Sequence, residues 1–307
     1  MSLKVSLIGA PTDVGAGIRG THMGPAALRG AGLGRKLQHL VTKVIDRGDL
    51  PGPDNPEQPI MQGYRHLNEV VAWNTLVHEA VGTELRRGHV PMVLGGDHSL
   101  GIGSVSAAAR YCREMGHDIR VLWFDAHTDF NTATSSPSAN IHGMPIACLC
   151  GEGPDGLVHI GESTATAMDP SAFRLIGVRS VDDGEKSRVQ TANLPVFDMD
   201  MIDRHGLEAI MERALEGVGE QTHIHVSFDV DVLDPSIAPG VSTPARGGLN
   251  YREARLCLER VAHTGRLGSV DIVELNPARD NSNSTTEVTV SLAASLFGEE
   301  ILGIPSL

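Results

Sequence analysis

Acidic residues and histidines cluster directly after three apolar segments of this chain. In an open parallel α/β sheet the carboxyl ends of the strands line the ligand crevice, so groups distant in sequence converge there. Carboxylates and imidazoles at this density can bind cations or transfer protons, and we therefore predict one polar site at the strand ends. The three clusters are Asp97 and His98, then Asp125, His127 and Asp129, and then Asp229, Asp231 and Asp234.

Spacing limits how these residues can act together. Residues two apart on a strand share a face about 6.6 Å apart, so Asp125 with His127, or Asp229 with Asp231, can reach one small site. Asp129 would lie about 13 Å from Asp125 if the strand continued. Joint ligation therefore requires the strand to end at Phe124 and the chain to curl after it.

The charge of the combined cluster predicts metal ions. Four carboxylates in one crevice would repel one another, and some would protonate unless cations neutralised them. Bridging carboxylates suit two divalent cations about 3.5 to 4 Å apart. An oxygen-rich set without thiolates favours Mn²⁺ or a similar hard ion, whereas affinity alone would favour zinc or copper. The six candidate ligands are His98, Asp125, His127, Asp129, Asp229 and Asp231.

Several other polar residues have simpler explanations. A single Asp after a strand usually caps a helix or fixes a turn, the role that we expect for Asp97 and Asp234. His225 lies about 13 Å back along the strand from Asp229, too far for direct ligation, and is expected to support a ligand or the core. "GAGIRG", residues 15–20, matches a dinucleotide-binding pattern, but no helix starts there, so we expect a glycine-rich loop near a pocket.

Short apolar segments alternate with longer segments of helical period along the chain, as for residues 67–87 and 251–262. This alternation predicts a single α/β domain over residues 1–307, with a mostly parallel sheet covered by helices on both faces. The stretch 48–59, rich in Pro, Asp and Gly, is expected to be a surface loop. The predicted strands are residues 3–9, 91–94, 120–124, 173–178, 224–228 and 269–273.

Composition excludes several classes of function. The chain has 307 residues, 41% of them hydrophobic, and a formal charge of −13, so no basic surface is expected to bind nucleic acid or an anionic membrane. No apolar stretch approaches the roughly 20 residues of a membrane span, so we expect neither membrane insertion nor export. Four cysteines without a paired zinc pattern suit reduced thiols, so we expect a cytoplasmic protein.

Four motifs together resemble the arginase, or ureohydrolase, family over nearly the whole chain. They are "GGDHS", "DAHTDFN", "SFDVDVLDP" and "DIVELNP", in the family's order and approximate spacing. The resemblance implies a three-layer α/β/α fold and two Mn²⁺ per chain, one held by His98 and Asp129 and the other by His127 and Asp231. Asp125 and Asp229 would bridge them, and a hydroxide shared by the two ions would attack a guanidinium carbon.

The resemblance also implies roles for residues outside the metal cluster. His142 in "NIHGMP" is similar to the family's proton-shuttling histidine, and Glu274 to the acid that pairs with the substrate guanidinium. The loop "NTATSSPSAN" would bind the α-carboxylate of arginine through Asn131, Ser138 and Asn140.

Three further residues complete the pocket that the resemblance implies. Asp182 matches the family residue that binds the α-amino group of the substrate, and Glu185 matches a neighbour that assists in this binding. Thr243 matches another position in the family's pocket. The expected activity is hydrolysis of L-arginine to L-ornithine and urea by a homo-oligomer, a trimer or hexamer. This sequence departs from the family at Ala139, where arginases commonly have Gly, and at Ser180, where they often have Asp; Ala resists the positive φ that Gly accepts.

Three alternatives remain open from the sequence. A relative acting on agmatine or another guanidino acid would use the same chemistry, but Asn131 and Ser138 argue for a substrate with an α-carboxylate. A zinc amide hydrolase of related fold, such as a deacetylase, would not use all six ligands. A non-catalytic family member with a binding or regulatory role could have lost a ligand or His142, and this sequence keeps them all.

Overall fold

A computed structural model describes residues 3–161 and 167–300 of the chain. Within these residues, eight strands form one sheet in which all neighbouring strands are parallel. The strands are β1 (Lys4–Gly9), β2 (Lys43–Asp49), β3 (Val90–Leu94), β4 (Asp118–Phe124), β5 (Phe173–Val178), β6 (Val196–Asp198), β7 (Thr222–Asp229) and β8 (Leu267–Val273). Their order across the sheet is β2-β1-β3-β8-β7-β4-β5-β6.

Helices follow the strands along the chain and cover the sheet. Two of them coincide with the predicted helical segments 67–87 and 251–262, and each ends within two residues of its expected boundary. They are α1 (Gly24–Gly30), α2 (Leu33–Leu37), α3 (Leu67–Arg86), α4 (Gly101–Met115), α5 (Pro145–Leu149), α6 (Asp155–Val158), α7 (Asp183–Thr191), α8 (Met199–His205), α9 (Leu207–Ala214), α10 (Tyr251–Thr264) and α11 (Ser284–Leu296). Within the described ranges, no helix is both long and apolar enough to cross a membrane.

Successive strand residues pack on opposite faces of the sheet, as the period of a strand requires. Leu7 and Phe124 belong to a core shared with α1, α2 and α8 to α11. Ile8 and Trp123, their neighbours in sequence, face the other side, where α3, α4 and α5 pack. The predicted α/β architecture with helices on both faces is therefore confirmed as three layers.

Two strands, both at sheet edges, were not predicted. β2 carries Lys43, Asp46, Arg47 and Asp49, and most of its residues are exposed, so it has no apolar segment to reveal it. β6 is only three residues long. Charged and short edge strands are common because they discourage pairing with other chains.

The sheet order explains why distant motifs meet. β3, β8, β7 and β4 are adjacent in the middle of the sheet, and all run in the same direction. The residues that follow these four strands are Asp97 and His98, Glu274, Asp231, and Asp125, respectively. The four motifs therefore share one edge of the sheet.

Candidate metal centre and substrate pocket

His98 lies at the centre of the first half of the cluster. Its Nδ1 is 3.0 Å from Oδ2 of Asp125 and 3.1 Å from Oδ2 of both Asp129 and Asp229. One ring nitrogen carries at most one hydrogen, so it cannot donate to three carboxylates at once. Ligand atoms converging in this way fit a cation better than a proton.

His127 forms the second half of the cluster. Its Nδ1 is 3.2 Å from Oδ1 of Asp125 and 3.2 Å from Oδ2 of Asp231. Asp125 therefore presents one oxygen to each histidine. Among the described residues, two groups of side chains are close enough to hold a metal ion. They are His98 with Asp125 and Asp229, and His127 with Asp125 and Asp231, and they share Asp125.

Protein groups alone do not balance the negative charge of the buried carboxylates in the cluster. Asp129 and Asp229 are at most 5% exposed, and burial followed by the charges of nearby carboxylates raises the pKa of both well above the ordinary range. Oδ2 of Asp129 has no hydrogen-bond partner among the described residues. Burial opposes the charged form of His98, but the contacts with Asp125 and Asp129 outweigh it and raise its pKa to about 9.

The chain curls after β4, as it must if Asp125 and Asp129 are to reach the same site. β4 ends at Phe124, which confirms the predicted strand end. Asp129 adopts a φ of +48°, a left-handed conformation that is uncommon for a residue with a side chain. This turn directs its carboxylate back toward His98, and such backbone strain is often held at functional sites.

Two side chains that sequence reasoning missed hold the His98 ring. Trp123 stacks on the ring with centroids 4.1 Å apart and planes 7° apart, and its Nε1 lies 3.1 Å from Oδ2 of Asp125. Ser227 Oγ lies 2.9 Å from Nε2 of His98, which leaves Nδ1 directed at the carboxylates. Trp123 and Ser227 each precede a strand-end Asp by two residues and so share its strand face, but this spacing alone does not distinguish them from core residues.

An open cavity of about 110 Å³ lies above this cluster. Eleven of the fourteen predicted site residues line it, while Asp125, Asp231 and Glu274 lie just beneath and are each 1% exposed. The lining also includes three residues outside that set, among them the departure Ser180. The lining residues are His98, His127, Asp129, Asn131, Ser136, Ser138, Asn140, His142, Gly143, Ser180, Asp182, Glu185, Asp229 and Thr243.

His142 and Glu274 form a pair beside the metal cluster. Nδ1 of His142 lies 2.8 Å from Oε1 of Glu274, and the same oxygen accepts the backbone N–H of His98 at 2.9 Å. Oε2 of Glu274 is buried without a hydrogen-bond partner among the described residues. Burial would lower the pKa of His142, but the charge and hydrogen bond of Glu274 outweigh it and raise the pKa.

The remaining predicted pocket residues form a hydrogen-bonded wall. Asn131 Nδ2 donates to Asp182 Oδ2 at 3.1 Å, and the backbone N–H of Phe130 donates to Glu185 at 2.7 Å. Thr243 differs in position, because its hydroxyl donates at 2.9 Å to Oδ2 of Asp231, one of the candidate ligands. The pocket wall and the metal cluster are therefore joined directly.

Comparison with known proteins agrees with this geometry. A family model described as the Arginase family matches residues 3–298. An arginase from Bacillus caldovelox is 42% identical over 302 residues, which cover 97% of this chain and 99% of that relative. The chain belongs to the arginase family. A native structure of arginase from Bacillus caldovelox, 40% identical and covering 98% of this chain and 100% of its own, has a TM-score of 0.91.

The chain is also similar to more distant solved structures. A hypothetical agmatinase from Burkholderia thailandensis is 27% identical with a TM-score of 0.71, over 96% of this chain and 85% of that one. Family membership implies a binuclear metal centre, and the described residues contain candidate ligands for it. The resemblance inferred from the four motifs is confirmed.

The two departures from the family pattern behave differently. Ala139 adopts the left-handed conformation itself, with a φ of +59°, so the loop keeps a shape that favours glycine. Its N–H donates to Ser136 Oγ at 3.0 Å and its carbonyl accepts the N–H of Arg65 at 2.9 Å, which hold it there. Ser180 lines the cavity and donates its N–H to the carbonyl of Ala126 at 2.9 Å.

We expect Ala139→Gly to stabilise the protein. Removing the Cβ relieves about 1–2 kcal/mol of strain in the left-handed conformation. Glycine also gives the unfolded chain more conformational freedom, which offsets about 0.5–1 kcal/mol of that stabilisation. The net gain is up to about 1 kcal/mol, measured by thermal unfolding at fixed metal loading. Ala133→Gly is the matched control, because Ala133 has no positive φ and its substitution should destabilise. Equal losses in both variants would contradict strain at Ala139.

The residues expected to have supporting roles have them. Asp97 accepts the N–H groups of Ser99 and Gly15 at 3.0 and 2.9 Å, and Asp234 accepts those of Ser236 and Gly247 at 2.9 and 2.7 Å. His225 is fully buried in the sheet, where its Nε2 lies 3.0 Å from Asp271. None of the three belongs to the two candidate metal groups.

Arg179 is another residue that sequence reasoning missed. Its guanidinium donates to backbone carbonyls of three segments, among them Asp231 at 2.7 Å, Val232 at 3.1 Å and Ala245 at 2.9 Å. It thereby fixes the backbone of one candidate ligand and of the segment that follows Thr243. No periodicity marks such a residue, because its partners are carbonyls from distant loops.

Proposed function

We propose that this chain hydrolyses L-arginine to L-ornithine and urea at a centre of two Mn²⁺ ions. The observation that carries the proposal is the position of Asp125, whose two oxygens face two histidines in two candidate metal groups at the floor of a pocket. The arginase-family relationship supports the reaction class. The α-carboxylate loop beside the pocket supports arginine as the substrate.

The proposed ligands follow from the contacts of the cluster. His98 and Asp129 would hold one ion, His127 and Asp231 the other, with Asp125 and Asp229 between them. Oδ1 of Asp229 accepts the N–H of Asp231 at 2.7 Å, and its Oδ2 lies 3.1 Å from Nδ1 of His98. Four carboxylates and two imidazoles form a set that suits Mn²⁺. When bound, such a pair of cations neutralises the carboxylates and lowers the pKa of water enough to supply a nucleophile near neutral pH.

The protein's own groups orient the substrate. Oε2 of Glu274 is a buried acceptor without a partner among the described residues, and a guanidinium group would satisfy it with a charge-assisted hydrogen bond. At the other end of the cavity, Asn131, Ser138 and Asn140 would bind the α-carboxylate. Asp182 and Glu185 would bind the α-amino group, and Thr243 would connect the pocket wall to the metal ligand that it contacts.

Proton transfer completes the reaction. Water adds to the guanidinium carbon, and the bond from that carbon to the side-chain nitrogen breaks, giving urea and an amine that must gain a proton. His142 lines the cavity, and Glu274 engages its Nδ1, so Nε2 is the atom available to deliver that proton. The negative charge of Glu274 favours the protonated ring and so keeps the donor charged.

Urea release from L-arginine and from agmatine, measured side by side, tests the proposal. The protein is stripped with a chelator and reloaded with Mn²⁺, Zn²⁺ or Mg²⁺, and bound metal is counted by mass spectrometry. We expect Mn²⁺ to restore activity on arginine, with two ions per chain. Preference for agmatine would retain the chemistry and overturn the pocket assignment, and inactivity with both would favour another guanidino substrate or a non-catalytic role.

Two finer properties are also proposed, the first from the family relationship and the second from the composition. We propose a homo-oligomer, a trimer or hexamer, which light scattering of the purified protein would test; a monomer would contradict it. A cytoplasmic location remains a prediction from the composition. Four free cysteines, three of them buried, are compatible with a reducing compartment.

A further inference from the structure

Three loops meet at Asn140, on the wall of the pocket. One is the loop of residues 131–140, which lines the cavity through Asn131, Ser138 and Asn140. The second is the segment 61–66, closed by paired backbone hydrogen bonds between Met61 and Tyr64. The third is the glycine-rich loop 15–20, whose role the proposed chemistry does not use.

Arg65 connects the second loop to the first by two contacts. Its backbone N–H donates to the carbonyl of Ala139 at 2.9 Å, and its Nε donates to Oδ1 of Asn140 at 2.8 Å. The residue is half-buried. Both contacts fall on the part of the loop where Ala139 is held in a left-handed conformation. Arg65 therefore holds both the backbone of the loop 131–140 and the side chain of Asn140.

The chemistry of the Arg65–Asn140 contact decides which way the amide of Asn140 faces. Arginine offers only donors, so it can pair with the carbonyl oxygen of Asn140 but not with its NH₂ group. On the other side, a Cβ on Gly17 would lie 3.0 Å from Nδ2 of Asn140, so the backbone of that loop packs closely on the amide. With Oδ1 engaged, the donor group of Asn140 is left for a ligand, and a carboxylate needs donors.

We infer that Arg65 is a positioning residue that sets specificity for substrates with an α-carboxylate, by fixing the donor side of Asn140 toward the pocket. The inference rests on the proposed function and adds a residue outside the cavity lining. Arg65 acts through Asn140 and not through the metal cluster or His142. Its loss should therefore change substrate affinity and leave the chemical step intact.

The test compares Arg65→Met with wild-type enzyme loaded with Mn²⁺. We expect the KM for L-arginine to rise about tenfold, because an oriented hydrogen bond to a charged group is lost, while kcat stays within about twofold. Turnover of agmatine, which lacks the α-carboxylate, should be unchanged. Arg204→Met is the matched control, because Arg204 is 70% exposed on α8 and pairs only with Asp200 among the described residues.

A double-mutant cycle with Asn140→Ala separates positioning from direct contact with substrate. If Arg65 acts through Asn140, adding Arg65→Met to Asn140→Ala should raise the KM no further. Additive losses would show that Arg65 meets the substrate itself and would overturn the inference. A fall in kcat, or an equal loss with agmatine, would also overturn it, because either result indicates general damage to the site.

A crystal structure of substrate-free Arg65→Met gives a readout independent of turnover. We expect the Asn140 amide to turn or the loop 131–140 to shift relative to wild type. An Asn140 side chain in its original position and orientation would overturn the inference. If wild-type protein releases no urea from arginine, the proposed function fails, and this structural comparison still decides whether Arg65 positions Asn140.

Discussion

Asp125→Asn should reduce urea release by at least about 100-fold and loosen both metal ions, since losing even a residue that only supports a metal ligand lowers affinity about 10- to 100-fold. Each oxygen of Asp125 already faces a donor as well as a histidine nitrogen. Oδ1 accepts the N–H of His127 at 2.7 Å, and Oδ2 lies 3.1 Å from Nε1 of Trp123. An asparagine NH₂ group would meet a donor in either orientation, so no rotation of the amide restores the site.

The measurement is metal content beside steady-state urea release. Wild-type protein should retain two ions per chain after dialysis, and the Asp125→Asn variant should retain less than one. Asp229→Asn should behave in the same way. Asp46→Asn is the control, because Asp46 is on the edge strand β2 and pairs with Arg29 far from the cluster. Two tightly bound ions in the Asp125 variant would show that Asp125 does not bridge.

The convergence of the metal cluster could be predicted because each ligand is marked by the apolar segment directly before it in the sequence. Each apolar segment shows where a strand ends, and in a parallel sheet the carboxyl ends share one edge. Asp125 and Asp229 are therefore expected at the same edge, and the observed order, in which β4 pairs with β7, brings them together. The curl at Asp129 could also be anticipated, because a continued strand would carry its carboxylate out of reach.

The supporting residues could not be predicted from the same information. Arg65 and Arg179 act on loops distant in sequence, and their partners are largely backbone carbonyls, which every residue offers. From the sequence, Trp123 is indistinguishable from an ordinary core residue; only the structure shows that its ring stacks on His98. The edge strand β2 lacks an apolar pattern because one of its sides is open to solvent. Local patterns locate ligands, whereas tertiary contacts decide how they are held.

His142→Asn should slow turnover by about 100- to 10,000-fold while both metal ions stay bound, the range expected when a positioned acid is lost. Asparagine can still donate to Glu274, as Nδ1 of His142 does at 2.8 Å, but it has no proton to transfer near neutral pH. His142 is not a member of either candidate metal group, so metal content should not change. His205→Asn, on α8, is the matched control.

The rate–pH profile distinguishes a lost proton donor from a damaged site. Burial disfavours the charged ring of His142, but Glu274 outweighs that effect and raises its pKa, so the ring holds its proton to a higher pH than an ordinary histidine. Wild-type kcat should therefore fall on an alkaline limb above the usual histidine range, and the variant should lack that limb. A slow variant that keeps the limb would assign proton donation to another group, because the removed side chain cannot titrate. A normal rate would mean that the leaving amine takes its proton from solvent.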